Sequence, residues 1–463
     1  MADATRSRAA TLTLTLLLVM GCTDEHSTPQ NPGERAAKTP VAASPGAARE
    51  RVEHARKVFL AECSGCHGER GRGDGPAAAT LPVRPRNLTA ERFKFRSTES
   101  GELPRRQDLF DTITSGLPGS GMPAFTFLPE ADRWLLVDHV RALAGIEHEP
   151  EPTPIALGDE PPDDARSVAR GRDVYVTLQC AKCHGEEGRG DGPSASTLKD
   201  ELDRPIASRD LTNGTFRRAA TAAEMNMRYR SGLDGTPMPS FTSSLSAEQG
   251  WDLSHYVRSL RRPADAWPSD LIEVGRRVVQ EKTCFGCHVI EGKGAKVGPS
   301  LDVSAQKLRF DWVKGFLADP RTYGKVYPYL PYRMPDLKLQ PREIEGICAL
   351  FAKVAGRSYP EADEAATVKL DQANDGMLLY FLKCTECHNL GTVVPTPEAK
   401  RQGPDLINVT KRMRFEFIPT WVNNPQAIYP GTAMVNTNLT REQIDAVTAF
   451  IWKTSTEAQT RTP

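Results

Sequence analysis

Four pairs of cysteines in this chain are each followed at once by a histidine: Cys63–Cys66–His67, Cys180–Cys183–His184, Cys284–Cys287–His288 and Cys384–Cys387–His388. Two thiols three residues apart on one helical turn can form thioethers to the two vinyl groups of a haem. The adjacent imidazole then falls beneath the iron as its proximal ligand. Four copies at near-regular spacing exclude coincidence, and each opens a segment of about a hundred residues. The chemistry implied is one-electron exchange at four covalently held haem irons.

Other uses of paired cysteines fit less well. Sulfurs bonded to haem cannot cross-link, and every pair carries the histidine, which argues against a disulfide framework. A zinc ribbon needs two pairs converging on one metal, whereas these lie in separate domain-sized segments. Of ten cysteines, eight sit in the motifs, leaving Cys22 and Cys348. Cys348, in Ile347-Cys-Ala-Leu, reads as a buried structural thiol. Lys+Arg and Asp+Glu are both 59, so the chain has no bulk charge to attract nucleic acid. Aromatic residues make up only 7%; a porphyrin would supply the large apolar body that such small cores lack. No Rossmann glycine pattern, P-loop, hydrolase triad or carboxylate pair stands in a convincing context, so no small-molecule substrate is evident.

The elements that position these residues recur in one order: a helix, the motif, a Gly/Pro-rich loop, a late Met and a closing helix. Ala55, Gly171, Gly275 and Gly376 each stand eight or nine residues before the first Cys of their motif. Amphipathic closing helices are predicted at 134–143, 250–260, 342–354 and 441–452. The first two units are most alike: Arg86-Asn-Leu-Thr matches Arg209-Asp-Leu-Thr, and Met122-Pro-Ala-Phe matches Met238-Pro-Ser-Phe. The last two form a second pair, with Gly298-Pro-Ser-Leu against Gly403-Pro-Asp-Leu and residues 310–320 mirrored by 415–425. Duplication within each pair explains this.

The arrangement resembles class I cytochromes c from residue 50 to 455, and the whole is similar to a tetrahaem c-type cytochrome lipoprotein. In that family a small residue in the first helix lets the first and last helices cross closely. The resemblance implies a mainly α fold of four tandem class I cytochrome c domains, each a few helices wrapped around one covalently attached haem c. Their expected spans are 49–147, 165–263, 267–357 and 368–455, with a Pro-rich acidic linker at 148–164. The other two joints are short, so units 2 to 4 are expected to pack as one body.

An iron with only its proximal His can bind oxygen, peroxide or nitric oxide; with a second protein ligand it does little besides pass electrons. Met122, Met238, Met334 and Met434 fall 55, 54, 46 and 46 residues after their proximal His, so the intervals pair as the repeats do. The first three precede Pro, as the axial Met does in many class I cytochromes c; Met434 lies in Gly431-Thr-Ala-Met434-Val. Repeat alignment sets Met225 and Met227 opposite Leu109 and Asp111, so both read as structural, and Met413 reads as core or surface. His139 and His255 do not keep one place across the duplication and read as helix-packing or surface residues. The resemblance also implies that a loop proline carbonyl accepts a hydrogen bond from the proximal imidazole. Pro76, Pro193, Pro299 and Pro404, each in a Gly-Pro pair after its motif, are the candidates.

Arg6 and Arg8 precede an apolar run at 12–20, which reads as a bacterial export signal. It ends in Val19-Met20-Gly21-Cys22, which resembles a lipobox with Cys22 acylated; a simple signal peptide is the alternative. Residues 1–22 are thus the expected signal and 23–48, poor in large apolar residues, a disordered tether. Together these features predict a lipid-anchored protein of the bacterial cell envelope, facing the periplasm or in the outer membrane. It is expected to relay electrons between other redox proteins of a respiratory chain, as a carrier and not an enzyme. The alternatives are a haem-bearing subunit of a larger membrane oxidoreductase, or a peroxidase- or reductase-type haem enzyme with one open site.

Overall fold

Apolar stripes recurring at helical spacing become helices throughout. A computed structural model describes residues 45–460, apart from 82, 91, 215, 263–267, 324–333, 361–370, 392–402 and 431. The export signal, Cys22 and the tether as far as residue 44 lie outside the described residues. Unit 1 contains α1 (Pro45–Glu62), α2 (Ser64–His67), α3 (Arg106–Ser115) and α4 (Glu130–Leu143). Unit 2 repeats the plan with α5 (Ala165–Thr177), α6 (Ala181–His184), α7 (Ala222–Ser231) and α8 (Ala247–Ser259).

Unit 3 has α9 (Leu271–Glu281), α10 (Leu301–Lys307), α11 (Phe310–Ala318), α12 (Pro320–Tyr323) and α13 (Pro341–Ala355). A minimal antiparallel hairpin, β1 (Val289–Ile290) and β2 (Lys293–Gly294), follows its motif. Unit 4 has α14 (Ala373–Lys383), α15 (Val409–Arg412), α16 (Phe417–Asn423), α17 (Pro425–Ile428) and α18 (Arg441–Thr460). Helix starts are set by local chemistry. The Asp164 carboxylate accepts from the amides of Arg166 and Ser167, and Thr221 with Glu224 and Ser246 with Gln249 form capping boxes.

In each unit the first helix crosses the last, and the small residue sits at the crossing. A Cβ on Gly171 would strike the Asp252 carbonyl, and one on Gly376 the Ala446 carbonyl. Gly275 meets Gly346, where an added Cβ would lie 2.7 Å from the Gly346 carbonyl carbon. In unit 1 the equivalent is Ala55, 3% exposed. Around these crossings lie four apolar cores, built on Phe59 and Val137, on Tyr175 and Leu253, on Val278 and Leu350, and on Tyr380 and Val447.

The units do not pack in sequence order. Unit 1 bonds to unit 2: Arg96 Nη2 donates to the Ser231 carbonyl (2.8 Å), Arg228 Nη2 to the Arg96 carbonyl (2.7 Å) and Arg217 Nη2 to the Gly119 carbonyl (2.8 Å). It bonds equally to unit 3, through Thr80 Oγ1 to the Gly286 carbonyl (3.0 Å) and Arg321 to Glu62 (2.9 Å). Unit 3 joins unit 4 at an antiparallel bridge between Leu308 and Met413. Among the described residues these contacts run 2–1–3–4, so the single body expected of units 2 to 4 also takes in unit 1, which lies between units 2 and 3. The middle of the 148–164 segment is held against both neighbouring units, with Ile155 N donating to Ser97 O (2.8 Å) and Trp251 Nε1 to Leu157 O (3.2 Å).

The closing helix of unit 4 runs past the predicted 452 to Thr460. Its extra turns are tied down by the Ser455 hydroxyl, which donates to Ile407 O (2.6 Å), and by Gln459, which bonds Thr410. Among the described residues no helix is long and apolar enough to cross a membrane.

Candidate functional site

Each motif folds into one tight turn immediately after the opening helix. The amide of His67 donates to Cys63 O (2.9 Å), His184 to Cys180 O (2.9 Å), His288 to Cys284 O (2.9 Å) and His388 to Cys384 O (2.8 Å). In unit 1 the result is a cavity of about 620 Å³ in which Cys63, Cys66, His67 and Met122 all share the lining. The volume lies in the range of cofactor pockets, and Leu109, Ile113 and Leu136 make its walls apolar.

The four imidazoles are oriented alike. Nδ1 of His67 donates to Arg86 O (2.9 Å), of His184 to Arg209 O (2.9 Å), of His288 to Pro299 O (2.8 Å) and of His388 to Pro404 O (2.9 Å). A carbonyl cannot donate, so it fixes the tautomer with the proton on Nδ1 and leaves the Nε2 lone pair for a metal. Burial lowers the pKa of all four imidazoles below the usual value, against the opposing pull of these carbonyls.

Pro76 and Pro193 do not take the role assigned from their Gly-Pro pairs. In units 1 and 2 the carbonyl comes instead from Arg86 and Arg209, on a loop further along the chain. A Cβ on Gly75 or Gly192 would strike the motif's own backbone, and the prolines that follow them are exposed. Gly73 (φ +75°) and Gly190 (φ +77°) bring the arginine loop in, each with its Cα against that loop's backbone. In units 3 and 4 the Gly-Pro pair does lie on the ring. A Cβ on Gly298 would come 2.5 Å from His288 Cε1, and one on Gly403 would strike the His388 ring.

Three of the methionine loops share one further hydrogen bond. The Met122 amide donates to Ser120 Oγ (3.2 Å), Met238 to Thr236 Oγ1 (3.3 Å) and Met434 to Thr432 Oγ1 (3.3 Å). A Ser or Thr two residues upstream is visible in the sequence of these three units, Met434 included although no Pro follows it; unit 3 has Tyr332 there. The Met122 and Met238 carbonyls also accept from Leu117 N (2.9 Å) and Leu233 N (3.1 Å). Met334 packs on the same core as Cys284, and Met434 on the same core as Cys384. Met225 and Met413 are buried core residues, as is Cys348. His255 is buried in a network with Ser167 and Glu160, and His139 packs on Phe59.

These residues fit a covalently held haem. Burial pushes the thiol pKa of Cys66 and Cys384 up to about 12 and of Cys180 and Cys284 to about 11. Thiolate chemistry is thereby disfavoured, whereas a neutral thioether suits the same apolar walls. Among the described residues no group of three or more His, Cys, Asp or Glu converges as a metal cluster would require. Arg86, Lys94 and Arg217 line the unit 1 cavity; Arg86 is paired with Glu201 there (2.9 Å), which leaves Lys94 and Arg217 as cations suited to the carboxylates of a haem. Arg217, from unit 2, is pushed down to about 10 by burial and by Arg209.

The family model for cytochrome c matches four times, at residues 52–144, 168–261, 272–350 and 373–455. The chain belongs to the cytochrome c family. Four such domains in a largely helical chain make it a multihaem c-type cytochrome, and they imply covalently bound haem c with iron. Curated relatives of this cytochrome include cytochrome c oxidase subunit 2 of Bacillus sp. (strain PS3), 25% identical over 36% of this chain and 49% of the relative. A thiosulfate dehydrogenase of Thiomonas intermedia (strain K12) is 27% identical over 53% of this chain and 72% of its own length. The Cbb3-type cytochrome c oxidase subunit FixP of Azorhizobium caulinodans is 27% identical over 44% of this chain and 57% of its own. The cytochrome thus spans about half the length of the two oxidase subunits it matches. A solved structure, the Kuenenia stuttgartiensis reducing HAO-like protein complex Kustc0457/Kustc0458, is 38% identical, covering 45% of this chain and 96% of that one with a TM-score of 0.44.

One expectation is overturned. A carrier with no enzymatic part does not stand beside a thiosulfate dehydrogenase, itself an enzyme, that aligns with more than half of this cytochrome. The likeness runs to enzymes and to subunits of oxidases.

Proposed function

We propose that this cytochrome is the electron-transferring part of an oxidoreductase in the bacterial cell envelope, with one haem c in each unit held between its His and its Met. Haem c, when bound, supplies one-electron exchange between ferric and ferrous iron. The chain's residues do the rest. His67, His184, His288 and His388 would offer Nε2 to the iron, and Met122, Met238, Met334 and Met434 would offer a thioether. The cysteine pairs would tether the ring, and Lys94 and Arg217 of the unit 1 cavity would neutralise its carboxylates. The observation that carries this reading is the fourfold repetition of an imidazole held through Nδ1 on a backbone carbonyl.

Relatives that are a dehydrogenase and oxidase subunits support a place within an enzyme whose other components are redox proteins of a respiratory chain. Export by residues 1–22 and acylation at Cys22 would hold the haem units to the membrane surface through the segment at 23–48. The test is an anaerobic spectroelectrochemical titration of the full-length, haem-loaded protein. Uptake of one electron per motif is expected, with a low-spin ferric spectrum carrying the weak far-red sulfur-to-iron band. A high-spin haem that binds carbon monoxide, or a smaller electron count, would count against it.

A further inference from the structure

Unit 1 and unit 3 meet through the parts of each that face their motifs. Leu81 lines the unit 1 cavity together with Cys66 and Met122. Its other side packs on Gly286, which stands between Cys284 and Cys287: a Cβ there would collide with the Leu81 side chain. The neighbouring Thr80 hydroxyl donates to the Gly286 carbonyl over 3.0 Å. Beside the methionine, Gly121 (φ +89°) is pressed against the same Leu81, and a Cβ on it would lie 3.0 Å from Thr283 Oγ1. One apolar side chain thus separates the pocket of unit 1 from the thioether loop of unit 3. Further out, Arg321 of unit 3 pairs with Glu62 (2.9 Å) and lies over the Phe127 ring at 3.7 Å, clamping the seam.

The internal repeats supply a comparison. The residue just before the second motif cysteine is Lys182 in unit 2 and Glu386 in unit 4, and both are exposed. In units 1 and 3 it is Gly65 and Gly286, and Gly286 is buried. A long charged side chain at position 286 would hold the two units apart. The unit 1 cavity is also lined by Glu201, Leu202, Arg204 and Arg217 of unit 2. Unit 3 meets unit 4 with matching residues of the two repeats: Arg309 N donates to Arg412 O and Arg414 N to Lys307 O, both at 3.0 Å. That exchange is the signature of a local two-fold axis relating the pair.

We propose that the Leu81–Gly286 seam is the electron junction between the two halves of this chain, so that electrons pass in the spatial order unit 2, unit 1, unit 3, unit 4 and not in sequence order. Leu81, Thr80 and Gly286 are positioning residues that set the separation of the two pockets. The step moves one electron and no atoms: the unit that gives it ends ferric and the unit that takes it ends ferrous. The inference rests on the reading that each unit holds a haem.

The experiment compares the haem-loaded full chain with Gly286→Leu, which wedges the seam, and with Lys182→Leu, the same motif position where the side chain is exposed. Thr80→Val is the milder variant, keeping shape while removing the bond to Gly286. Haem content and optical spectrum are measured first, so that failure of the haem reading is seen as missing haem. Electron paramagnetic resonance then reads spin coupling between haems, and flash reduction reads intramolecular equilibration. The parent and Lys182→Leu are expected to show a coupled pair and fast equilibration. Gly286→Leu loses the coupling and equilibrates several-fold more slowly, with Thr80→Val between. A parent with every haem in place but no coupled pair overturns the proposal. So does a fully loaded Gly286→Leu, or Thr80→Val if the former does not fold, with coupling and rate unchanged.

Discussion

The indole Nε1–H of Trp421 donates to the sulfur of Met434 across 2.8 Å. A thioether sulfur has two lone pairs, so this bond leaves one for a metal while drawing electron density from the other. Hydrogen bonds to a ligand atom weaken its donation to ferric iron and so favour the ferrous form. Trp421→Phe is therefore expected to lower the reduction potential of one haem and leave the others in place, read by redox titration. Met434→Ala goes further and should create one high-spin, carbon monoxide-binding haem.

The Gly298 and Gly403 contacts make a steric prediction. Gly298→Ala places a methyl carbon 2.5 Å from His288 Cε1, closer than any tolerated contact, so the imidazole must turn off its carbonyl partner. Overpacking of this kind costs about 1–3 kcal/mol. The variant should show a lower melting temperature and a shifted low-spin signal for one haem. Gly46→Ala, with nothing near its Cβ and a helical backbone that favours Ala, should not lower the melting temperature or shift the haem signal.

The helix crossings predict a stability series. Gly275→Ala forces α9 away from Gly346 of α13, where both sides of the contact are backbone and cannot yield by rotating a side chain. A loss on the order of 1–3 kcal/mol is expected, seen in urea denaturation as earlier unfolding.

Lys307 gives a pH prediction. Its pKa is pushed down to about 8, first by burial and then by the Arg412 guanidinium, while its ammonium lies 4.9 Å from the Trp421 ring centre. An unfolded lysine titrates near 10.4, so between about 8 and 10.4 the unfolded chain binds more protons than the folded one. Stability then rises with pH across that window. Lys307→Met should be more stable than the parent at pH 7, and the difference should shrink as pH climbs from 8 toward 10. A constant difference would contradict the burial of this charge.

The sequence spoke clearly where chemistry is local. The motif cysteines and histidines are contiguous, and the resemblance to class I cytochromes c implied the crossings at Ala55, Gly171, Gly275 and Gly376 from the small residue at fixed spacing. It was silent where distant loops meet. Nothing near Pro76 says that Gly73 will draw Arg86 under the ring of His67, because that choice depends on how a nineteen-residue loop closes. The spatial order of the units was equally hidden. A short joint shows only that two units are tethered closely, whereas contact is decided by matching surfaces such as Leu81 on Gly286.

The most direct measurement is the intact mass of the mature, full-length chain after export in a host that attaches haem. Four covalent haem additions, one lost with each Cys-to-Ser pair replaced, are what the four motifs require. A mature chain with fewer additions, or one unaltered by replacing a motif's cysteines, would contradict the account at its base.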